Sequence, residues 1–126
     1  MTTRILVVDD NPLNIKLVAD VLGSEGFAVD RAQDAEHARA ILKRSVPDLI
    51  LMDIALPGMD GLTLTRLLKA DARLGHVPIV ALTASAMKGD EQKALAAGCA
   101  GYITKPIDTR DFARQVRTFL SPAARR

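Results

Sequence analysis

Apolar runs and helical patterns alternate five times along the chain. The runs cover residues 5–8, 27–32, 49–52, 78–82 and 101–104. The first and third are unbroken aliphatic stretches, as expected of strands buried on both faces of a parallel sheet. The second, FAVDRA, alternates and carries Asp30 and Arg31 toward its far end, which places it nearer a sheet edge. Between the runs lie helices with recognisable ends. Asn11-Pro12 sets a capping side chain ahead of a proline at the first helical position. Leu13, Leu17 and Val21, and then Ile15, Val18 and Leu22, recur at helical spacing until Gly26, a plausible stop. Asp34 caps a second helix through Arg44, with Ala38, Ile41 and Leu42 inward. A third spans residues 61–70 with Leu64, Leu67 and Leu68. A fourth spans residues 84–97 and is closed by Gly98. The last starts at Asp108, with Phe112, Val116, Phe119 and Leu120 on one face and Pro122 just past its end.

Five consecutive βα units imply right-handed crossovers and helices on both faces of a parallel sheet. The expected fold class is therefore α/β, a doubly wound, flavodoxin-like (βα)5 sandwich with strand order 2-1-3-4-5. A single domain is expected over residues 1–126, with its core at about 4–120 and a short tail at 121–126. The composition changes this little: 48% hydrophobic and 25% charged residues are ordinary for a soluble globular chain. The single Cys99 excludes an internal disulfide framework and suits a reducing cytoplasm. The N-terminus reads as neither a signal peptide nor a membrane span. A net charge of +2 with only 3% aromatic residues gives little support for nucleic-acid binding.

In open α/β sheets, ligands bind beyond the carboxyl ends of the strands. Strand one runs into Asp9 and Asp10, strand three into Asp53, strand four into Thr83 and strand five into Lys105. Strand two ends in Ala32-Gln33 and offers nothing comparable. Three crowded carboxylates hold one another's protons unless a cation sits among them. An all-oxygen set of this kind suits Mg²⁺, whereas His37, His76 and Cys99 do not share zinc-ligand spacing. Lys105 offers a compact positive charge and Thr83 a donor, together suited to the oxygens of a phosphoryl group in transfer. No Walker sequence or G-x-G-x-x-G follows any strand, which argues against a bound nucleotide or flavin and leaves a carboxylate as acceptor. Asp53 is the best candidate, alone at the end of a central strand and followed by the turn sequence LPGMDG at residues 56–61.

The motifs VVDDN at residues 7–11, LILMDIALPGMDG at 49–61, ALTA at 81–84 and YITKPI at 102–107 resemble those of the response-regulator receiver domains of bacterial two-component signalling. The resemblance covers almost the whole chain. It implies Asp53 as phosphoacceptor, Asp9 and Asp10 as the acidic pair that holds Mg²⁺, and the backbone carbonyl of Ala55 as a further ligand. It also implies Thr83 as the switch hydroxyl, Lys105 as the phosphate-pairing lysine, Tyr102 as the switch aromatic, and a cis bond between Lys105 and Pro106. The stretches DDNPLNIKL and LTASAMKGDEQKALAAGCAGYITKPI are similar to receivers of hybrid kinases and to stand-alone cell-cycle regulators of the DivK type. A stand-alone regulator is the preferred expectation, because the chain starts at Met1 and stops after the fifth helix; a receiver cut from a hybrid kinase would look much the same. The implied partner is a histidine kinase or histidine phosphotransferase. Output would pass through protein–protein contact, with a monomer or a weak dimer through the fourth and fifth helices. Catalysis would be limited to the domain's own phosphorylation and slow dephosphorylation.

Plainer roles stand beside these. Thr83 could cap the fourth helix as well as serve the site, and Tyr102 could simply be a half-buried aromatic near an edge strand. Asn14 either faces solvent or contacts a histidine-bearing partner. Gly89 inside the fourth helical window costs roughly 1 kcal/mol relative to Ala, which marks the start of that helix as a weak element. Ala55 has no polar group to orient an attacking water and Ser85 could do so only weakly, so slow hydrolysis of an acyl phosphate is expected. Three rival classes share some of these features. A haloacid-dehalogenase-type phosphatase usually needs a second acid where this chain has Ala55, and also a cap domain for which there is no room. A flavodoxin-like electron carrier lacks its phosphate loop here. A phosphorylation-independent adaptor would have no need of the full set Asp9, Asp10, Asp53, Thr83 and Lys105.

Overall fold

A computed structural model describes residues 2–56, 58–83 and 88–124. The elements run β1 (Arg4–Val8), α1 (Pro12–Ser24), β2 (Ala28–Ala32), α2 (Ala35–Arg44), β3 (Leu49–Asp53), α3 (Gly61–Ala70), β4 (Ile79–Thr83), α4 (Lys88–Ala97), β5 (Gly101–Thr104) and α5 (Phe112–Ala124). All neighbouring strands pair in parallel, in the order β2-β1-β3-β4-β5. The alternating FAVDRA run does lie at an edge, and the two unbroken aliphatic runs lie inside.

Side chains alternate across the sheet and build two apolar layers. Leu6, Val8, Ile50, Met52, Ile79 and Ala81 pack with residues of α2, α3 and α4. Ile5, Val7, Leu49, Leu51, Val80 and Leu82 pack on the other face with α1 and α5. Every residue of β3 and β4 is buried, which is why those strands read as continuous apolar runs.

The helix starts follow from their caps. The Asn11 side chain accepts from the amides of Leu13 and Asn14, Asp34 from His37 and Asp60 from Thr63. The two apolar rows of α1 are buried unequally: Ile15, Val18 and Leu22 are buried, Val21 packs partly against the same core, and Leu13 is 78% and Leu17 37% exposed. Leu67 of α3 is likewise turned outward. Several boundaries differ from the expected ones. Phe27 and Pro78 stand outside their strands, Phe27 because its amide closes the turn after α1 on the Leu22 carbonyl. Asp108 does not begin α5 but makes a turn ahead of it, its carboxylate accepting from the Arg110 amide and its carbonyl from those of Asp111 and Phe112. Pro122 lies inside α5 and not beyond it, so residues 121–124 belong to the helix and not to a tail. A proline there has no N–H to donate back along the helix, and α5 ends two residues later. The expected start of the fourth helix, residues 84–87, lies outside the described residues.

Candidate functional site

The strand order brings the ends of β1, β3, β4 and β5 side by side, and the polar residues of the chain gather there. Asp9 follows β1 directly. Its amide donates to the Ala32 carbonyl at 3.0 Å, so the strand pairing continues one residue further and carries this side chain into the interior. Asp9 is 0% exposed, unusual for a carboxylate. Its Oδ1 accepts from the Asn11 amide at 2.9 Å, and its Oδ2 accepts from the side-chain amide of Asn14. Asp10 is exposed, and its side chain has no hydrogen bond or ion pair among the described residues.

Asp53 ends β3 and is 4% exposed. Its Oδ1 accepts from the Ala55 amide at 2.9 Å. The Lys105 ammonium reaches in from the end of β5, 3.2 Å from Asp9 Oδ2 and 3.4 Å from Asp53 Oδ2. Burial pushes the Asp53 carboxyl above its ordinary value, and the charge of Asp9 adds to this. The Ala55 amide and Lys105 pull in the opposite direction but do not cancel it. Lys105 is placed by its backbone: its amide donates to the Thr83 carbonyl at 2.7 Å, and the Lys105–Pro106 bond is cis. Thr83, the last residue of β4, is 3% exposed.

One carboxylate oxygen from each of Asp9, Asp10 and Asp53 lies within 4.8 Å of the others. Among the described residues, three carboxylates thus gather around a single ammonium, with two of them buried. That donor set fits Mg²⁺: all ligands are hard oxygens, the local charge is unbalanced, and Asp10 lies on the open side where a metal would keep its waters. His37 and His76 are exposed elsewhere and Cys99 is buried, and none of them joins the cluster.

Tyr102 is separate from these. It sits in register with Ala81, on the face of the sheet that α2, α3 and α4 cover. Its side chain is 37% exposed, and a hydrogen bond to Glu91 of α4 pushes the phenol above its ordinary value. Ser85 lies outside the described residues.

Two residues matter to the site in ways the sequence did not suggest. A Cβ on Gly61 would stand 2.2 Å from the Asp53 carbonyl oxygen and 2.7 Å from the Ile54 Cα, so α3 can start against the end of β3 only with glycine there. The Asp60-Gly61 pair at a helix start was the available signal. Asn14 is half-buried, and its side-chain amide donates to Asp9. Nothing in a residue five places from an acid announces that contact.

Comparison with known proteins agrees with this geometry. Residues 5–117 match the response regulator receiver domain family. The chain is 42% identical to the polar-differentiation response regulator DivK of Brucella ovis, over 98% of this chain and 100% of that protein. Among solved structures, it is similar to the receiver domain of a sensor histidine kinase from Pseudomonas aeruginosa, which has a magnesium ion coordinated in its active-site cleft. That match has a TM-score of 0.87 at 36% identity and covers 96% of this chain and 99% of the other. The receiver domain of a histidine kinase from Syntrophus aciditrophicus matches with a TM-score of 0.89 at 30% identity, covering 99% and 95%. No helix among the described residues is long and apolar enough to cross a membrane.

Proposed function

Because this chain belongs to the response regulator receiver domain family, we propose that Asp53 is the residue that accepts a phosphoryl group from a histidine kinase or histidine phosphotransferase. The observation that carries this reading is the burial of Asp53 and Asp9 against a shared lysine, with Asp10 beside them and unpaired among the described residues. A carboxylate oxygen of Asp53 attacks the phosphorus of a partner's phosphohistidine. The new P–O bond forms as the P–N bond breaks, and the bonding pair returns to the imidazole nitrogen. The Ala55 amide holds one oxygen of Asp53 and leaves the other toward Lys105. Lys105 is the group that shifts from pairing carboxylates to pairing phosphoryl oxygens. Asp9, Asp10, Asp53 and the Ala55 carbonyl are the residues that would hold Mg²⁺, which when bound supplies positive charge against the crowded oxygens.

Exposed Leu13 and Leu17 on α1, beside the acidic cluster, give a partner helix an apolar surface to cover while its histidine reaches Asp53. Phosphorylation adds about −1.5 to −2 charges at one point. Thr83 is drawn to the new oxygens, and the change is read at the α4–β5 side, where Leu95 and Tyr102 are exposed. Signalling then proceeds by protein contact in the cytoplasm, through a monomer or a weak dimer of the α4 and α5 faces, with catalysis limited to the domain's own phosphorylation and slow dephosphorylation. The test is incubation with Mg²⁺ and acetyl phosphate, followed by intact mass. Wild type is expected to gain a phosphoryl group and Asp53→Asn to gain none; an unmodified wild type overturns the reading.

A further inference from the structure

We propose that Asn14 is a positioning residue of this site: its side-chain amide holds Asp9 Oδ2 and so sets how Asp9 and Lys105 meet a metal. The inference rests on the magnesium reading above. Asp9 is 0% exposed, so no water supplements its protein partners from bulk solvent. Its Oδ1 is satisfied by the Asn11 amide. Its Oδ2 has two donors of different kinds, the neutral Asn14 amide and the Lys105 ammonium at 3.2 Å. The same ammonium is shared with Asp53 Oδ2 at 3.4 Å. Lysine is a mobile point charge on a flexible stem, whereas the Asn14 amide is fixed by a short side chain on the first turn of α1. Asn14 is therefore the donor that stays when Lys105 leaves Asp9 for phosphoryl oxygens. Without it, Lys105 is the one remaining donor to Oδ2 among the described residues, and it is drawn toward Asp9 and away from Asp53. Asn11, three residues earlier, has a different task, since its side chain caps the helix. A partner seated on Leu13 and Leu17 would also lie beside Asn14, which ties the docking helix to the acid it supports.

Outer contacts to ligating carboxylates typically change metal affinity by about 10–100-fold. The experiment measures Mg²⁺ affinity by NMR titration of the unphosphorylated protein, together with the Asp9 ¹³Cγ resonance before metal is added. Wild type is compared with Asn14→Leu, which matches the volume without a donor, and with Asn14→Gln, which keeps an amide. Asn14→Leu is expected to lose about tenfold in affinity and to move the Asp9 resonance, with partial recovery in Asn14→Gln. Asn14→Ala is read in parallel, so that a folding defect of the leucine variant leaves the comparison in place. An affinity within about threefold of wild type in the donorless variants, or an unmoved Asp9 resonance, overturns the role of Asn14 alone. A wild type that binds no Mg²⁺ overturns the magnesium reading and this inference with it.

Discussion

The two ends of the sheet carry similar ingredients and put them to opposite uses. At the amino end, Arg4 pairs with both oxygens of Asp30 at 3.1 Å, and its amide donates to Asp48 at 2.8 Å. The paired side chains are 45% and 30% exposed, so water screens them and their net value is small. At the carboxyl end, Lys105 serves Asp9 and Asp53 at similar distances, but those side chains are 0% and 6% exposed, and Asp10 stands beside them without a partner among the described residues. One is an exposed pair of a single cation with a single acid; in the other, two buried acids share one ammonium. Ion pairing alone therefore does not distinguish a fastening from a site. The distinction lies in burial and in a deficit of positive charge, which the protein leaves for a metal to fill.

Substitutions at the two ends should separate accordingly. Gly61→Ala forces a Cβ into the Asp53 carbonyl, a backbone atom that cannot step aside. It should cost about 3 kcal/mol in urea unfolding and should lower phosphoryl uptake by moving Asp53. Lys105→Met leaves buried carboxylates without their cation. A loss of about 1–3 kcal/mol at neutral pH without Mg²⁺ is expected; a loss no larger than that of an exposed pair would erase the contrast between the two ends.

The third prediction concerns pH. The folded-state value of Asp53 is raised, so its contribution to stability is present below the unfolded value and is lost as pH rises through the folded one. In EDTA, Asp53→Asn should therefore melt above wild type, and the gap should widen from about pH 4 to about pH 7. Added Mg²⁺ should narrow that gap by stabilising wild type alone. A gap that shrinks with rising pH would contradict the burial of this carboxyl. The smallest effect is expected at the amino end, where Arg4→Met should cost less than about 1 kcal/mol, and less still in high salt.

Much of this was legible in the chain. The caps Asn11 and Asp34 are local hydrogen-bonding devices, so helix starts near them follow from neighbouring residues alone. The helix ends follow less directly: Pro122 looks like a stop, yet α5 runs two residues past it. Which apolar row of α1 is buried also escaped the pattern. Leu13, Leu17 and Val21 repeat as regularly as Ile15, Val18 and Leu22, and only the position of α1 against the sheet leaves Leu13 in water.

By itself, then, the sequence determined the alternation of strands and helices, the strand order, and the convergence of Asp9, Asp10, Asp53, Thr83 and Lys105 at one edge. The alternation follows from residue periodicity, the convergence from the polar residue at each strand's carboxyl end, and the strand order from the commonness of that doubly wound topology. Only the tertiary structure decided the division of labour within that edge. It turned Asp9 inward onto two asparagines' donors and left Asp10 open, placed one ammonium between two buried acids, and made Gly61 indispensable to the fit of α3 against β3. Burial, direction and shared partners depend on contacts between segments far apart in the chain, and no local pattern of residues encodes them.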